Sequence, residues 1–158
     1  MLKLNLGCAD EILPGYINVD VYPYSEEVAL ADLNKPWPWP DNTVEYVLAK
    51  DIFEHLKNKI HPISELWRVL APGGRATIIV PSAAKGAGHF QDPTHNPNSP
   101  WCMNSFQYFE DKSFAHVRGL TKAYGYAGTF NVLSLKEESY QDAYEIVYKI
   151  TAELQVVK

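Results

Sequence analysis

The stretch LKLNLGCADEILPGYINVD, residues 2–20, contains two short apolar runs joined by a connection of only eight residues, 9–16. Leu2–Gly7 is predicted to be the first strand of a sheet and Tyr16–Asp20 the second. A crossover between parallel strands normally takes about ten to a dozen residues or more and usually includes a helix. Because residues 9–16 cannot hold a full helix and still return, we expect a loop or one helical turn there. One face of the sheet should then lack cover.

The length and charge of the chain restrict the classes of protein to which it can belong. With 158 residues and 46% hydrophobic content, it is predicted to form a single domain over residues 1–158, a size that buries roughly 70% of the surface of the unfolded chain. A net charge of −5 gives no general attraction to nucleic acid. Cys8 and Cys102 are too few for a disulfide framework, which predicts a cytoplasmic protein. No apolar run reaches the length of a membrane span.

Strand-like and helix-like segments alternate along the middle of the chain, which is typical of an α/β sheet. Val44–Ala49 is predicted to be the third strand. A helix is predicted over Ile60–Leu70, and the sequence APGG at Ala71–Gly74 ends it before a strand at Arg75–Pro81. The residues from Ser82 to Pro100 are rich in Gly, Pro, Asn and His and should form a long loop, a kind of segment that often carries function.

The last third of the chain is predicted to contain a helix over Ser105–Val117 and a closing antiparallel hairpin. The hairpin strands are TFNVLSL, residues 129–135, and YEIVYKITAELQVVK, residues 144–158, joined by KEESYQDA. Apolar and polar residues alternate in the second of these strands, which gives it one apolar face. The predicted fold class is therefore α/β, with a Rossmann-like open sheet that is mostly parallel, a C-terminal antiparallel hairpin and reduced helix cover near the first two strands.

Polar residues and a glycine follow the predicted strands, and in open α/β sheets ligands bind beyond the carboxyl ends of the strands. Gly7 has no Cβ, so its backbone can approach a ligand closely. Asp20 could accept two hydrogen bonds from a ribose diol. Asp32 could accept a hydrogen bond from the exocyclic amine of adenine, and Leu33 would offer an apolar surface beside the base. Together these residues predict a nucleoside-binding site.

Four segments that contain these residues resemble the class I S-adenosylmethionine-dependent methyltransferases, in particular the small type 11-like members. The segments are LNLGC, INVD, ADLNKPWPWPDNTVEYVLAKDIFEHL and ISELWRVLAPGGRATIIVPS, within residues 2–82. The resemblance implies a seven-stranded sheet with the last strand antiparallel and S-adenosyl-L-methionine as cofactor. It also implies that seven residues bind the cofactor: Gly7 and Cys8 beside its methionine part, Asp20 at its ribose, Asp32 and Leu33 at its adenine, and Asp51 and Ile52 at the cleft of the methyl donor.

The first loop departs from the pattern of this family. Its members usually have a second glycine soon after the first, whereas GCADE places Ala9 and Asp10 there. The side chain of Ala9 restricts close approach of the backbone to the carboxylate of the cofactor. The carboxylate of Asp10 could repel that group or could accept a hydrogen bond from the cofactor's ammonium group.

The sequence HFQDPTHNPNSPW, residues 89–101, places His89, Asp92 and His95 at three-residue intervals in the predicted long loop. Three interpretations stay open: the residues could stabilise a proline-rich loop, bind an acceptor and take its proton, or hold a divalent metal. For an acceptor hydroxyl, the candidate catalytic bases are His89, His95 and Asp51. No metal site is assigned.

Two further pairs of residues have a structural and a functional interpretation. Glu54 and His55 could be a solvated or capping pair at the start of a helix, or could act directly in a site. Trp37 and Trp39 could pack over an edge of the sheet or stack on adenine.

The function predicted from these residues and from the resemblance is transfer of a methyl group from S-adenosylmethionine to a small-molecule acceptor. A hydroxyl acceptor is favoured over an amine because no NPPY-like sequence follows the third strand. Two alternatives stay open: a non-catalytic S-adenosylmethionine-binding or interaction module, and a metal-dependent enzyme using His89, Asp92 and His95. No partner among nucleic acids or membranes is expected. Exposed apolar area is expected on the sheet face left open by the 9–16 connection, and a homodimer or a closely packed loop lid is predicted to cover it.

Overall fold

A computed structural model describes residues 1–86, 88–113, 117–126, 128–141 and 146–158. Its centre is a seven-stranded sheet in the order β3-β2-β1-β4-β5-β7-β6. The strands are β1 (Leu2–Leu6), β2 (Ile17–Asp20), β3 (Val28–Leu30), β4 (Val44–Lys50), β5 (Leu70–Pro81), β6 (Thr129–Gln141) and β7 (Ile146–Val157). β1 to β5 pair in parallel, and β7 is antiparallel to both of its neighbours. The predicted fold class is confirmed.

The helices are few and short. α1 (Ile60–Val69) connects β4 to β5, and α2 (Gly88–Gln91) and α3 (Met103–Gln107) lie between β5 and β6. The buried α1 residues Ile63, Leu66 and Val69 belong to the main apolar core. In the part of the chain that the structure describes, no helix is long and apolar enough to cross a membrane.

The connection between β1 and β2 contains turns and no helix, as predicted, and every one of its residues is described. Two buried asparagines hold it in place. The Nδ2 of Asn5 donates to the carbonyl of Glu11 at 2.8 Å and to Oδ1 of Asn18 at 3.0 Å. Asn18 Oδ1 also accepts from the backbone N–H of Leu13 at 2.9 Å. These side-chain amides satisfy loop groups that a helix would have satisfied internally.

The two faces of the sheet differ in composition. One face packs Leu4, Val47, Ile78, Ala152 and their neighbours against α1 in the apolar core. The opposite face carries mostly polar residues along its central strands: Lys3, Asn5, Tyr46, Arg75, Thr77, Thr151, Glu153 and Gln155. The missing helix therefore leaves a largely polar face and not the exposed apolar area we expected. The homodimer stays a prediction that this composition does not support.

The tryptophans of the β3–β4 loop are part of the core. Trp37 and Trp39 are 3% and 8% exposed and contact each other edge to face. Arg68 of α1 donates hydrogen bonds to both of their carbonyls, and its guanidinium also pairs with Glu65. Because both indoles are buried in this cluster, they pack in the core. The alternative prediction, that they stack on adenine, is wrong.

Three predicted boundaries are corrected by the structure. Strand β5 begins at Leu70, directly after α1, so the APGG sequence lies inside the strand. Strand β6 runs to Gln141 and includes most of the predicted KEESYQDA linker; the remaining linker residues, 142 and 143, lie outside the described part of the chain. Of the helix predicted over 105–117, α3 covers residues 105–107, residues 108–113 are not helical and include an isolated bridge from Glu110 to Phe130, and Val117 is helical. Residues 114–116 lie outside the described part.

Candidate active site

A cavity of about 210 Å³ lies beyond the carboxyl ends of β1, β2 and β3, and we call it the nucleoside cavity. Its lining consists of Gly7, Asp20, Val21, Ala31, Asp32, Leu33, Asn34, Ile52, His55 and Leu56. Five of the seven predicted cofactor residues are therefore brought together: Gly7, Asp20, Asp32, Leu33 and Ile52. Cys8 and Asp51 do not line this cavity. The parallel register of β1, β2 and β3 produces the convergence, because it places all three strand ends at one edge.

The carboxylate of Asp20 is fixed by two backbone donors. Its Oδ2 accepts from the N–H of Ala9 at 3.0 Å, and its Oδ1 accepts from the N–H of Tyr22 at 3.1 Å. Each carboxylate oxygen can accept more than one hydrogen bond. Asp20 therefore reaches the cavity in a fixed orientation with acceptor capacity still available to a ligand.

Gly7 can be replaced by no other residue without strain. Its φ of +66° lies in the left-handed region, and a Cβ built there would lie 2.5 Å from Cβ of Ile52. Ala9, where the resemblance expects glycine, also adopts a left-handed φ of 46°. Ala9 thus adopts a conformation that favours glycine, at the cost of steric strain.

Cys8 and Asp32 are held by local contacts. Cys8 is 4% exposed, and burial, together with the charge of Asp20, raises the pKa of its thiol. Asp32 accepts a hydrogen bond from the N–H of Asn34 at 3.0 Å, which lowers the pKa of the carboxyl. A buried protonated thiol is a packing group, whereas Asp32 is an ionised acceptor at the cavity wall.

A second cavity of about 270 Å³ adjoins the first, and we call it the acceptor cavity. Its lining consists of Asp51, Glu54, His55, Pro81, Gly88, Gln91, Asp92, His95, Tyr140, Val147 and Lys149. His55 lines both cavities, so they meet at this side chain. The two spaces together can hold a nucleoside-containing ligand and a separate small molecule next to each other.

Asp51 stands at the entrance to the acceptor cavity in a strained conformation. It directly follows β4 with a φ of +53° and donates its N–H to the carbonyl of Ile79. Its Oδ2 forms an ion pair with Nζ of Lys149 from β7. Burial alone would lower the pKa of Lys149, but the hydrogen bond and charge of Asp51 outweigh it and raise that pKa. Strained residues of this kind occur often at functional sites.

The two histidines of the long loop have different surroundings. His95 lines the acceptor cavity, and its Nδ1 lies 2.8 Å from the carbonyl of His89. Since a carbonyl only accepts, Nδ1 carries the proton and Nε2 faces Asp92 Oδ2 at 3.6 Å. His89 is 1% exposed and lies outside the cavity lining, and burial, then the charge of His95, lowers the pKa of its imidazole. Its stacking on His95 makes it a support for that ring.

Glu54 had both a structural and a functional interpretation in the sequence, and the structure places it in the lining of the acceptor cavity. It is 1% exposed, not solvated, and its Oε2 has no hydrogen-bond partner among the described residues. Burial, then the charge of Asp51, raises the pKa of this carboxyl to about 8. Glu54 lies in a 3-10 turn, Phe53–His55, which is too short for hydrophobic periodicity to show which side chains point inward.

Metal-ligating groups also converge in the acceptor cavity. One ligand atom from each of Glu54, His55 and His95 lies within 4.8 Å of the others. The set predicted from the sequence was His89, Asp92 and His95, and it shares only His95 with this cluster. Loop spacing alone could not identify the other two residues, which come from the 3-10 turn after β4.

Comparison with known proteins is consistent with this geometry. A family model described as methyltransferase domain matches residues 16–78. The structure is similar to the YcgJ protein of Bacillus subtilis, with a TM-score of 0.63 and 12% identity, covering 99% of this chain and 92% of that one. It is also similar to an S-adenosylmethionine-dependent methyltransferase from Archaeoglobus fulgidus, with a TM-score of 0.58 and 15% identity, covering 96% of this chain and 85% of that one. A third similar structure is an S-adenosylmethionine-dependent methyltransferase from Aquifex aeolicus, with a TM-score of 0.56 and 18% identity, covering 99% of this chain and 82% of that one. No curated protein matches the chain in sequence. The family match over residues 16–78 and the shared fold agree with the resemblance.

Proposed function

We propose that this chain, in which a methyltransferase domain model matches residues 16–78, uses S-adenosylmethionine as cofactor and transfers its methyl group to a hydroxyl oxygen of a small polar molecule. The observation that carries the proposal is the pair of cavities that meet at His55. Methyl transfer requires the sulfonium group and the acceptor to lie next to each other, and two adjoining cavities provide that arrangement.

In this proposal the nucleoside cavity binds the adenosyl part of the cofactor. Asp20 accepts hydrogen bonds from the ribose diol, and Asp32 and Leu33 contact the adenine. Gly7 and Ile52 form one wall of this cavity, where the side chain of Ile52 occupies the space that a Cβ on Gly7 would need. Cys8, which follows Gly7, would lie beside the methionine part. The methyl donor would then face the acceptor cavity, which meets the nucleoside cavity at His55.

The acceptor cavity supports the second half of the proposal. Its size of about 270 Å³ fits a small molecule, and Asp51, His95, Tyr140 and Lys149 give it a polar wall. The acceptor oxygen attacks the methyl carbon, the carbon–sulfur bond breaks, and its electron pair remains on sulfur, giving S-adenosylhomocysteine. The hydroxyl proton passes to His95 or to Asp51, both of which line the cavity. His89 is too enclosed to receive it.

Binding and catalysis can be tested separately. Calorimetry with S-adenosylhomocysteine measures cofactor binding, and transfer of a labelled methyl group to a panel of small alcohols, phenols and amines measures catalysis. His95→Gln and Asp51→Asn should each lower turnover, by about 10²–10⁴-fold for the residue that takes the proton. His61→Gln, on α1 and outside both cavities, should change neither measurement.

Three outcomes decide between the functions. Absence of S-adenosylhomocysteine binding would overturn the proposal. Binding without transfer to any acceptor class would favour the non-catalytic module. Transfer to amines alone would retain the enzyme and overturn the hydroxyl assignment.

The proposal also includes a cytoplasmic location, a single domain over 1–158 and a homodimer, with no nucleic-acid partner. Both cysteines are free, in keeping with a reducing compartment. The net charge of −5 gives no general attraction to nucleic acid. Size-exclusion chromatography with light scattering tests the homodimer, and a mass of 17.9 kDa would show a monomer.

A further inference from the structure

We infer that the acceptor cavity binds one divalent transition-metal ion through Glu54, His55 and His95. The inference deepens the proposed function and rests on it for the role of the cavity, but ion binding itself can be measured without methyl transfer. Two imidazoles and one carboxylate are a ligand set that leaves positions on the ion open to a further molecule.

The separations between the three groups are close to those of a bound ion. Their ligand atoms lie within 4.8 Å of one another, and Nε2 of His95 is 3.9 Å from Oε1 of Glu54. An ion bound at about 2.0–2.2 Å to nitrogen and oxygen requires ligand atoms roughly 3–3.6 Å apart. Side-chain movements of about 1 Å would therefore complete the site, without a change in the sheet.

The imidazoles are oriented as metal ligands usually are. Nδ1 of His95 is hydrogen-bonded to the carbonyl of His89 at 2.8 Å, and Nδ1 of His55 lies 3.2 Å from the carbonyl of Thr94. Metal-ligating histidines commonly donate one ring N–H to such an acceptor, which fixes the ring and leaves the other nitrogen for the ion. Asp92 holds Thr94 in place by accepting from its N–H and its hydroxyl.

The charge of the cavity favours a cation. Glu54 is 1% exposed with Oε2 unpartnered in the described structure, and a buried unsatisfied carboxyl group is costly. Asp51 and Asp92 add two further carboxylates to the same lining, whereas Lys149 is the one ammonium group in the described lining and already pairs with Asp51. An ion bound at Glu54 would displace the carboxyl proton and give the unpartnered Oε2 a positively charged partner.

An ion at this position would change how the acceptor loses its proton. With Nε2 of His95 bound to the ion, the acceptor oxygen would bind an open position, which lowers the pKa of the hydroxyl. The proton would then pass to Asp51, while the oxygen forms its bond to the methyl carbon and the carbon–sulfur electron pair stays on sulfur. Nitrogen-containing ligand sets favour Zn²⁺, Fe²⁺, Co²⁺ or Mn²⁺ over Ca²⁺.

The test is a metal titration of the full chain, purified without an affinity tag and stripped with a chelator. Calorimetry with Zn²⁺, Co²⁺ and Mn²⁺ should show one ion per chain, and bound Co²⁺ should give a visible spectrum of mixed nitrogen and oxygen coordination. His55→Gln, His95→Gln and Glu54→Gln should each weaken binding by at least about 10–100-fold. His61→Gln, a histidine outside the cavity, is the matched control and should bind like the original chain.

Failure of this inference is distinguishable from failure of the proposed function. Absence of saturable ion binding, or equal affinity in His55→Gln and His61→Gln, would overturn it. His55 is partly exposed, so that variant decides if Glu54→Gln does not fold. S-adenosylhomocysteine binding by the stripped chain, measured in parallel, tests the cofactor site alone.

Discussion

Replacement of Asp20 by asparagine tests the central contact of the nucleoside cavity. The two carboxylate oxygens already accept from the N–H groups of Ala9 and Tyr22, so their remaining lone pairs are positioned for a ribose diol. In Asp20→Asn one oxygen becomes an amide NH₂, which faces one of these backbone donors and cannot accept from the ribose. The variant therefore loses one acceptor and the negative charge.

The expected loss of affinity follows from the strength of such hydrogen bonds. A hydrogen bond to a charged group contributes about 1.5–3 kcal/mol, and each 1.4 kcal/mol corresponds to a factor of about ten in Kd. Asp20→Asn should thus bind S-adenosylhomocysteine about 10–100-fold more weakly in calorimetry. Glu45→Gln removes a carboxylate of equal charge that lines neither cavity, and its affinity should be unchanged.

A ligand series separates a ribose contact from a structural role of Asp20. The original chain should bind adenosine more tightly than 2′,3′-dideoxyadenosine, and Asp20→Asn should lose most of this preference. If Asp20 had only a structural role, Asp20→Asn would lower the affinity for both ligands by the same factor. Equal weakening, or an Asp20→Asn affinity within about threefold of the original, would refute the reasoning.

Three further predictions concern stability. Ala9→Gly removes left-handed strain of about 1–2 kcal/mol and adds a chain-entropy cost of about 0.5–1 kcal/mol. Urea denaturation should therefore show a free energy of unfolding that is higher by about 0.5–1 kcal/mol. A lower free energy of unfolding would contradict this prediction. Glu65→Gln removes one ion pair of Arg68, which keeps its pair with Asp41, and should cost about 1–3 kcal/mol at neutral pH. The pKa of Glu65 is lowered by this pairing, so the contribution of the pair to stability is fully present above the ordinary pKa of a glutamate and is lost as the pH falls through the lowered pKa. The urea midpoints of the original chain and of Glu65→Gln should therefore converge in acid. A difference in midpoint that stays constant with pH would contradict this prediction. Gly128→Ala places a Cβ 2.1 Å from an indole carbon and should cost more than about 2 kcal/mol, whereas Gly125→Ala, which has equal φ and open space, should show a smaller drop in Tm.

The parts of the fold that sequence predicted are those with strong periodicity or apolar runs. Strands β1, β4 and β5 are buried parallel strands whose apolar residues follow one another closely. Strand β3 has only three residues, Val28–Leu30, which is too short for any period to be visible. Strand β6 lies at the edge of the sheet, where polar and charged residues protect the free edge, and its polar second half therefore resembled a linker.

The candidate site was predictable to the extent that topology determines it. Gly7 and Asp20 follow two predicted strands that are neighbours in the sheet, and the rule that ligands bind at the strand ends was enough to group them. Asp32 follows β3, a strand that was not predicted. The acceptor cavity combines Asp51, His95 and Lys149 from three distant parts of the chain. No local pattern relates them, because the contact between Asp51 and Lys149 depends on where β7 inserts beside β5.

The insertion of β7 has a consequence for engineering. Every residue that lines the nucleoside cavity comes from the segment 7–56, whereas Tyr140, Val147 and Lys149 reach the neighbouring space from the closing hairpin. Under the proposed function, acceptor preference can therefore be redesigned by exchanging side chains at the hairpin end, while the segment 7–56, which is proposed to bind adenosine, is left unchanged. A library of variants at those three positions would test new acceptors while the residues of the nucleoside cavity stay unchanged.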